Sequence, residues 1–345
     1  MSSNGIRSRL RRFFRGAERR PPARILSIDG GGIRGILPAM VLAELERQSG
    51  LHTTELFDLV VGTSTGALLG LAMVAPDEHG KPRFKASDVA RLYEIGGPRV
   101  FSRSMWHQIR AVGNLVDEKY PATGLKQVLE RAFGDTMLSA ALTEAMVACY
   151  EVEDRSPFFF SARSARELEG HDFPMAQVVR AAVAAPTFFE PARLPSANGK
   201  GYHALIDGAV IAYNPALFAY VESKRLFPEA SDVILVSLGT GQLTRGLPYD
   251  EVKDWGAARW AQPLFSLMCD GDASVVHHQA AEILAAGPDH QRRYYRFQAR
   301  LDIGSDDMDD ASVENIKSIK QLGEDLVRRN RPRLEALAQR LVART

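Results

Sequence analysis

This 345-residue chain predicts a layered α/β fold: a central, mostly parallel sheet flanked by helices, with a helical C-terminal region. Two observations lead there. Short apolar runs alternate with helix-periodic runs along the chain, the pattern of helices laid over a sheet. Two strand-to-helix junctions are also rich in glycine, at residues 30–35 and 62–66.

Taken in order, residues 24–28 (Arg-Ile-Leu-Ser-Ile) read as a strand, residues 29–35 as a glycine loop and residues 36–48 as an amphipathic helix. Residues 56–61 (Leu-Phe-Asp-Leu-Val-Val) read as a buried strand and residues 67–73 as an apolar helix. Helices follow at 88–93, 124–133 and 174–184, and strands at 146–152 and 158–161. The stretch 78–123 is less regular and holds Gly96, Gly97, Pro98, Phe101, Met105 and Trp106. Its aromatic residues read first as buried core and second as a cap over an acyl pocket. The acidic run Asp306-Asp307-Met308-Asp309-Asp310 reads as a solvated loop entering a helix at 311–328.

Chemistry concentrates at Gly62-Thr63-Ser64-Thr65-Gly66, where a hydroxyl residue sits between two glycines on the predicted strand-to-helix turn. That is the layout of a nucleophile elbow, with Gly62 and Gly66 removing side chains that would crowd a strained turn. The helix behind offers unpaired N–H groups to a developing negative charge. Upstream, Asp29-Gly30-Gly31-Gly32-Ile33-Arg34-Gly35 contains three adjacent glycines, which lose much conformational entropy on ordering and so point to a backbone that must aim its N–H groups. In acyl transfer that backbone forms an oxyanion hole. The same loop spells G-x-G-x-x-G, the dinucleotide fingerprint. That fingerprint also wants an acidic residue at the end of the second strand, and Asp58 lies before that end.

A nucleophilic serine needs a base. His277-His278 lies in a helix-periodic run, while His52, His79, His107, His171 and His290 stand alone in polar or loop contexts. Asp207, after the apolar Ala204-Leu205-Ile206 and before Gly208, is the better candidate, because partial burial would raise a carboxylate pKa of ~3.9 toward a useful base. An ordinary Asp-Gly turn is the competing reading.

The glycine loop, the Ser64 pentapeptide and Asp207-Gly208-Ala209, in this order, resemble the patatin-like phospholipase family. Ala184-Ala185-Pro186-Thr187-Phe188-Phe189, Asn214-Pro215 and Ser237-Leu238-Gly239-Thr240-Gly241 agree, so that the resemblance covers residues 23–241. It implies a patatin-like fold and a catalytic dyad of Ser64 and Asp207 without histidine. It also implies an oxyanion hole at the backbone of Gly30, Gly31 and Gly32, with Arg34 supporting the loop. Many members carry a second glycine where this chain has Ala209, which raises the question of the turn's geometry there. The implied activity is phospholipase A-type hydrolysis of glycerophospholipid acyl esters, with no cofactor. Alternatives within the resemblance are a lipid acyltransferase and a membrane-degrading defence effector switched on by a cyclic nucleotide as small-molecule activator.

Because a Ser64–Asp207 pair would span any boundary between two domains, one hydrolase domain over residues 23–345 is expected, preceded by a basic arm over 1–22. Cys149 and Cys269 give no disulfide framework or zinc motif, and no metal-binding pattern stands out. No run approaches the ~20 apolar residues that span a bilayer, so a phospholipid or other glycerolipid substrate is met at a surface, and the expected location is cytoplasmic or peripheral on the inner face of the membrane. The arm, with Arg7, Arg9, Arg11, Arg12, Phe13, Phe14 and Arg15, reads equally as a lipid-docking segment and as a solubilising tail. A formal net charge of +1 gives no wider basic face for nucleic acid.

Overall fold

The computed structural model describes residues 21–101, 122–196, 199, 201–285 and 292–343. Its strands are β1 (Ala23–Ile28), β2 (Leu59–Thr63), β3 (Glu144–Glu151), β4 (Ser156–Ser161), β5 (Ala192–Pro195), β6 (Tyr202–Asp207), β7 (Val233–Leu238) and β8 (Tyr294–Phe297). They form one sheet in the order β5-β6-β3-β2-β1-β7-β8, with β4 paired to β3. The pairs β1–β2, β1–β7, β2–β3 and β7–β8 are parallel, and the antiparallel pairs gather around β3, β4, β5 and β6.

Helices cover both faces. They are α1 (Ile36–Ser49), α2 (Thr53–Leu56), α3 (Thr65–Val74), α4 (Ala86–Val100), α5 (Ala122–Phe133), α6 (Ala162–Glu167), α7 (Met175–Ala182), α8 (Ala209–Ala212), α9 (Ala216–Leu226), α10 (Tyr249–Val252), α11 (Ala257–Ile283) and α12 (Val313–Val342). Alternate residues of one strand serve opposite layers, as the two-residue period of a strand requires. Leu26 and Ile28 of β1 join the core with α1, α3, α4 and α12, while Ala23 and Ile25 join the layer with α9 and the end of α11. Burial on both faces is why these central strands read as continuous apolar runs.

The register of β3 positions the site. Thr63, the last residue of β2, pairs with Ala148, and Asp207, the last residue of β6, pairs with the next residue, Cys149. Because β4 takes β3 along residues 146–151, β2 and β6 share the remaining edge and meet end to end. Ser64 and Asp207 are thereby brought together across 143 residues of chain.

Several boundaries differ from the sequence reading. Leu56 belongs to the short α2, held by a capping box between His52 and Glu55, and β2 starts only at Leu59. The irregular stretch expected around Gly96-Gly97-Pro98 is the last part of α4, where a side chain at Gly97 would strike Ile33 of the glycine loop. α12 continues through Pro332 to Val342, because Leu334, Leu337, Ala338 and Leu341 resume the helical apolar spacing past a run of arginines and are buried. The short strands β5 and β8 were not anticipated. Residues 1–20 of the arm, with Met105 and Trp106, lie outside the described residues. Among the described residues no helix is long and apolar enough to cross a membrane.

Candidate active site

At the end of β2 the chain turns sharply into α3, and Ser64 takes φ 54° and ψ −123°. A non-glycine residue there stores about 1–3 kcal/mol of strain, which surrounding structure must hold. The turn closes tightly: a side chain at Gly62 would strike the Gly66 carbonyl, and one at Gly66 would strike the Ile28 carbonyl of β1. Thr63 Oγ1 donates to the Ala212 carbonyl at 2.7 Å, and Tyr93 Oη donates to the Thr65 carbonyl at 2.8 Å, so both sides of Ser64 are pinned.

The glycine loop ends in a 3-10 turn, Gly32–Gly35, ahead of α1. Gly32 has φ 58°, a left-handed conformation that favours glycine, and a side chain there would meet the Met308 carbonyl. That carbonyl accepts the Ile33 N–H at 2.8 Å. Gly30 N–H donates to the Tyr213 carbonyl at 3.0 Å, and of the three glycines named from the sequence, Gly31 and Gly32 line the cleft. Gly30 thus anchors the loop through its N–H.

Arg34 lies beneath this loop, 1% exposed. Its Nε donates to the Gly31 carbonyl at 3.3 Å and its Nη2 to Tyr213 Oη at 3.0 Å, while Nη1 has no partner among the described residues. Tyr213 Oη also meets Thr240 Oγ1 at 3.1 Å, and Thr240 Oγ1 donates in turn to the Gly30 carbonyl. Just before the loop, Asp29 is fully buried and takes two hydrogen bonds from Arg296, at 2.8 and 2.5 Å. Burial pulls the Arg296 guanidinium downward, but the charge and hydrogen bonds of Asp29 outweigh it and the net shift is upward.

Asp207 is 0% exposed at the end of β6. Burial raises its pKa from 3.8 to about 7, against the opposing pull of the Ser64 hydroxyl and the Ala209 N–H. Oδ1 accepts the Ala209 N–H at 2.8 Å. Oδ2 has no hydrogen-bond partner among the described residues, although the Ser64 hydroxyl lies near enough to pull the carboxyl pKa down. Ala209 opens the short helix α8 without a positive φ, so the turn needs no glycine in second place.

Both side chains face a cleft of about 840 Å³, counted to its open mouth. Leu92, Val100, Phe101, Val128, Phe188 and Phe189 give it apolar walls, with the Phe101 and Phe189 rings 6.3 Å apart. Phe101 thus lines the cleft, as the second of the two sequence readings expected. Met308 and Asp309 also line it and Asp309 is buried, which corrects the reading of the acidic run as a merely solvated loop. No histidine among the described residues lines the cleft. Asp58, the acid nearest the dinucleotide pattern, is bonded to the Arg24 backbone and guanidinium. Sequence reasoning missed the supporting roles of Tyr213, Thr240, Arg296 and Met308; only Thr240, inside its glycine-flanked motif, carried a local signal.

Comparison with known proteins identifies the family. The family model described as patatin-like phospholipase matches residues 26–220. "Probable inactive patatin-3-Kuras 1" of Solanum tuberosum is 30% identical, the match covering 89% of this chain and 86% of that one. "Patatin-T5" of the same plant is also 30% identical, over 89% of this chain and 84% of its own. "Patatin-like protein 6" of Arabidopsis thaliana is 31% identical over 80% of this chain and 58% of its own. These relations support a lipid acyl hydrolase in general terms, and the chain belongs to the patatin-like phospholipase family.

Proposed function

We propose that the protein hydrolyses fatty-acyl esters of glycerophospholipids, with Ser64 as nucleophile and Asp207 as its base. One observation carries the reading: a strained serine faces a buried carboxylate whose pKa stands at about 7, at the floor of an apolar cleft. A base with that pKa is half ionised near neutrality, where proton transfer is most effective.

In the proposed cycle Asp207 takes the Ser64 proton as Oγ adds to the ester carbonyl, and the acyl chain lies along the phenylalanine-lined wall. The N–H groups of Gly31 and Gly32 receive the oxyanion. Collapse of the tetrahedral adduct expels the lysophospholipid alkoxide, which recovers the proton from Asp207. Water then gives a proton to Asp207 and attacks the acyl-enzyme, and Ser64 regains a proton as the fatty acid leaves. Arg34 acts at one remove, by holding the Gly31 carbonyl.

A fluorophosphonate probe tests the assignment. It should label Ser64 alone, and mixed phospholipid vesicles should yield lysolipid plus free fatty acid in equal amounts. Ser64→Ala should lose both labelling and hydrolysis while keeping the native circular dichroism spectrum. Labelling at another serine, or undiminished lipolysis in the variant, would overturn the reading, and acyl transfer to an added alcohol in preference to water would make the enzyme a transferase.

A further inference from the structure

A second pocket lies between β8, the C-terminal part of α11 and α12, apart from the cleft of Ser64. Counted to its open mouth it measures about 1270 Å³, and His277, Arg292, Arg296, Gln298, Asn330 and Arg333 line it. Three arginines line it, Arg292 and Arg333 over the Tyr295 and Phe297 rings and Arg296 turned toward Asp29, and no carboxylate is among the described residues of the wall.

Like charges gathered at one wall are costly unless something offsets them. Arg296 is offset by Asp29 beneath the floor. Arg333 is not: its guanidinium rests 4.7 Å from the Phe297 ring centre and 5.8 Å from that of Tyr295, and its buried Nε has no partner among the described residues. Burial and the neighbouring Arg292 both pull its pKa down, as expected of a cation held against another cation. Arg292 lies exposed over the same Tyr295 ring at 5.9 Å, with no ion pair among the described residues. Stacked guanidinium groups with free N–H donors are the side chains best suited to take phosphate oxygens in pairs. Two of them have no carboxylate partner among the described residues.

The floor of this pocket reaches the glycine loop by two routes. Arg296 grips Asp29, the residue before Gly30. Gln298 Oε1 accepts the Gly241 N–H at 2.7 Å, beside Thr240, which holds the Gly30 carbonyl. We propose that the pocket of Arg292, Arg296 and Arg333 binds a phosphate-bearing anion, and that occupancy alters the hold on the glycine loop through Arg296–Asp29 and Gln298–Gly241. An anion drawing on Arg296 competes with Asp29 for the same fork, so the loop's anchor loosens or shifts as the site fills.

Inorganic pyrophosphate, titrated calorimetrically into the full-length protein, tests the site without reference to ester hydrolysis. Saturable binding is expected, weakened at least about tenfold in Arg333→Gln and in the surface variant Arg292→Gln, but not in Arg259→Gln, an exposed arginine at the start of α11, the end away from the pocket. Absence of saturable binding, or equal weakening by Arg259→Gln, would overturn the site. Vesicles containing phosphatidic acid separate the two sources of such a group: sedimentation that depends on Arg292 and Arg333 assigns a lipid headgroup, and pyrophosphate binding without it assigns a soluble ligand. For the coupling, amide hydrogen exchange across residues 29–35 should change on saturation in the native protein and stay constant in Arg333→Gln. Unchanged exchange despite full occupancy would overturn the coupling, and this readout is independent of whether Ser64 hydrolyses lipids.

Discussion

The two glycine turns at the top of the sheet look alike in sequence and are built in opposite ways. At the elbow, Gly62 and Gly66 exist for contacts made within the β1–β2–α3 unit itself: each faces a backbone carbonyl at a distance that excludes a side chain. The glycine loop is held from far along the chain, by Tyr213, Thr240, Arg296 and Met308. A locally made turn is a rigid platform for a nucleophile. A turn held by remote hydrogen bonds depends for its shape on each of those bonds.

Asp207 gives the largest test of this contrast, being remote in sequence yet set beside Ser64 by the shared edge of β3. Asp207→Asn keeps the size and cannot take a proton, so kcat should fall ~100-fold or more. In the native enzyme kcat/KM should rise about tenfold per pH unit below pH 7 and level off above it, since the folded pKa stands at about 7. Stability should run the other way. Burial raises the folded pKa above the unfolded value, so stability present below pH ~3.8 is lost as pH rises through about 7, where the buried group becomes charged. Asp207→Asn escapes that loss, and thermal melts at pH 5 and pH 8 should show its advantage over the native protein growing with pH. A flat rate profile across pH 6–8 would remove Asp207 from the role of base.

The elbow was legible because its glycines and serine fall within five residues, although Ala212, Tyr93 and Ile28, which hold it, do not. Asp207 was legible only as an Asp-Gly pair, and the resemblance to the family singled it out. Arg34 was legible for the same reason. The rest of the site was hidden by its range: nothing around Tyr213, Arg296 or Met308 says that β7, β8 and the loop before α12 converge on Gly30–Gly32. The fold was read correctly where apolar period decides, as at β1, α1 and α3. It was misread where tertiary contacts override local breakers, as at Gly97 and Pro98 in α4 and Pro332 in α12.

Substitution of the glycines themselves separates the two turns by a smaller effect. Gly66→Ala places a methyl group against the Ile28 carbonyl inside the sheet, where neither side can yield, and should cost about 1–3 kcal/mol of stability along with activity. At Gly32→Ala the obstruction is the Met308 carbonyl, on a loop before α12. The left-handed φ of 58° adds about 1–2 kcal/mol there, but the obstructing loop lies outside the sheet and is expected to shift, so the melting temperature should fall somewhat less while kcat falls at least as far. Denaturant midpoints and single-substrate kinetics on both variants check the order. Equal losses of stability would mean that the glycine loop is as rigidly framed as the elbow.

The smallest expected effect comes from a single hydroxyl. Thr240→Val keeps the shape that fills the space beside Gly31 and removes the hydrogen bonds to the Gly30 carbonyl and Tyr213 Oη. Losing a buried hydrogen bond of this kind costs about 1 kcal/mol, and a little more where an acceptor is left bare. If the glycine loop is tuned by remote anchors, that loss should appear as a fall in kcat of roughly fivefold with KM for a short ester nearly unchanged, because the anchor steadies donors used only when the oxyanion forms. Thr240→Ser, which restores the hydroxyl, should recover most of the rate. Failure of serine to rescue would assign Thr240 to packing alone, and the glycine loop would then rest on Arg34 and the Asp29–Arg296 pair.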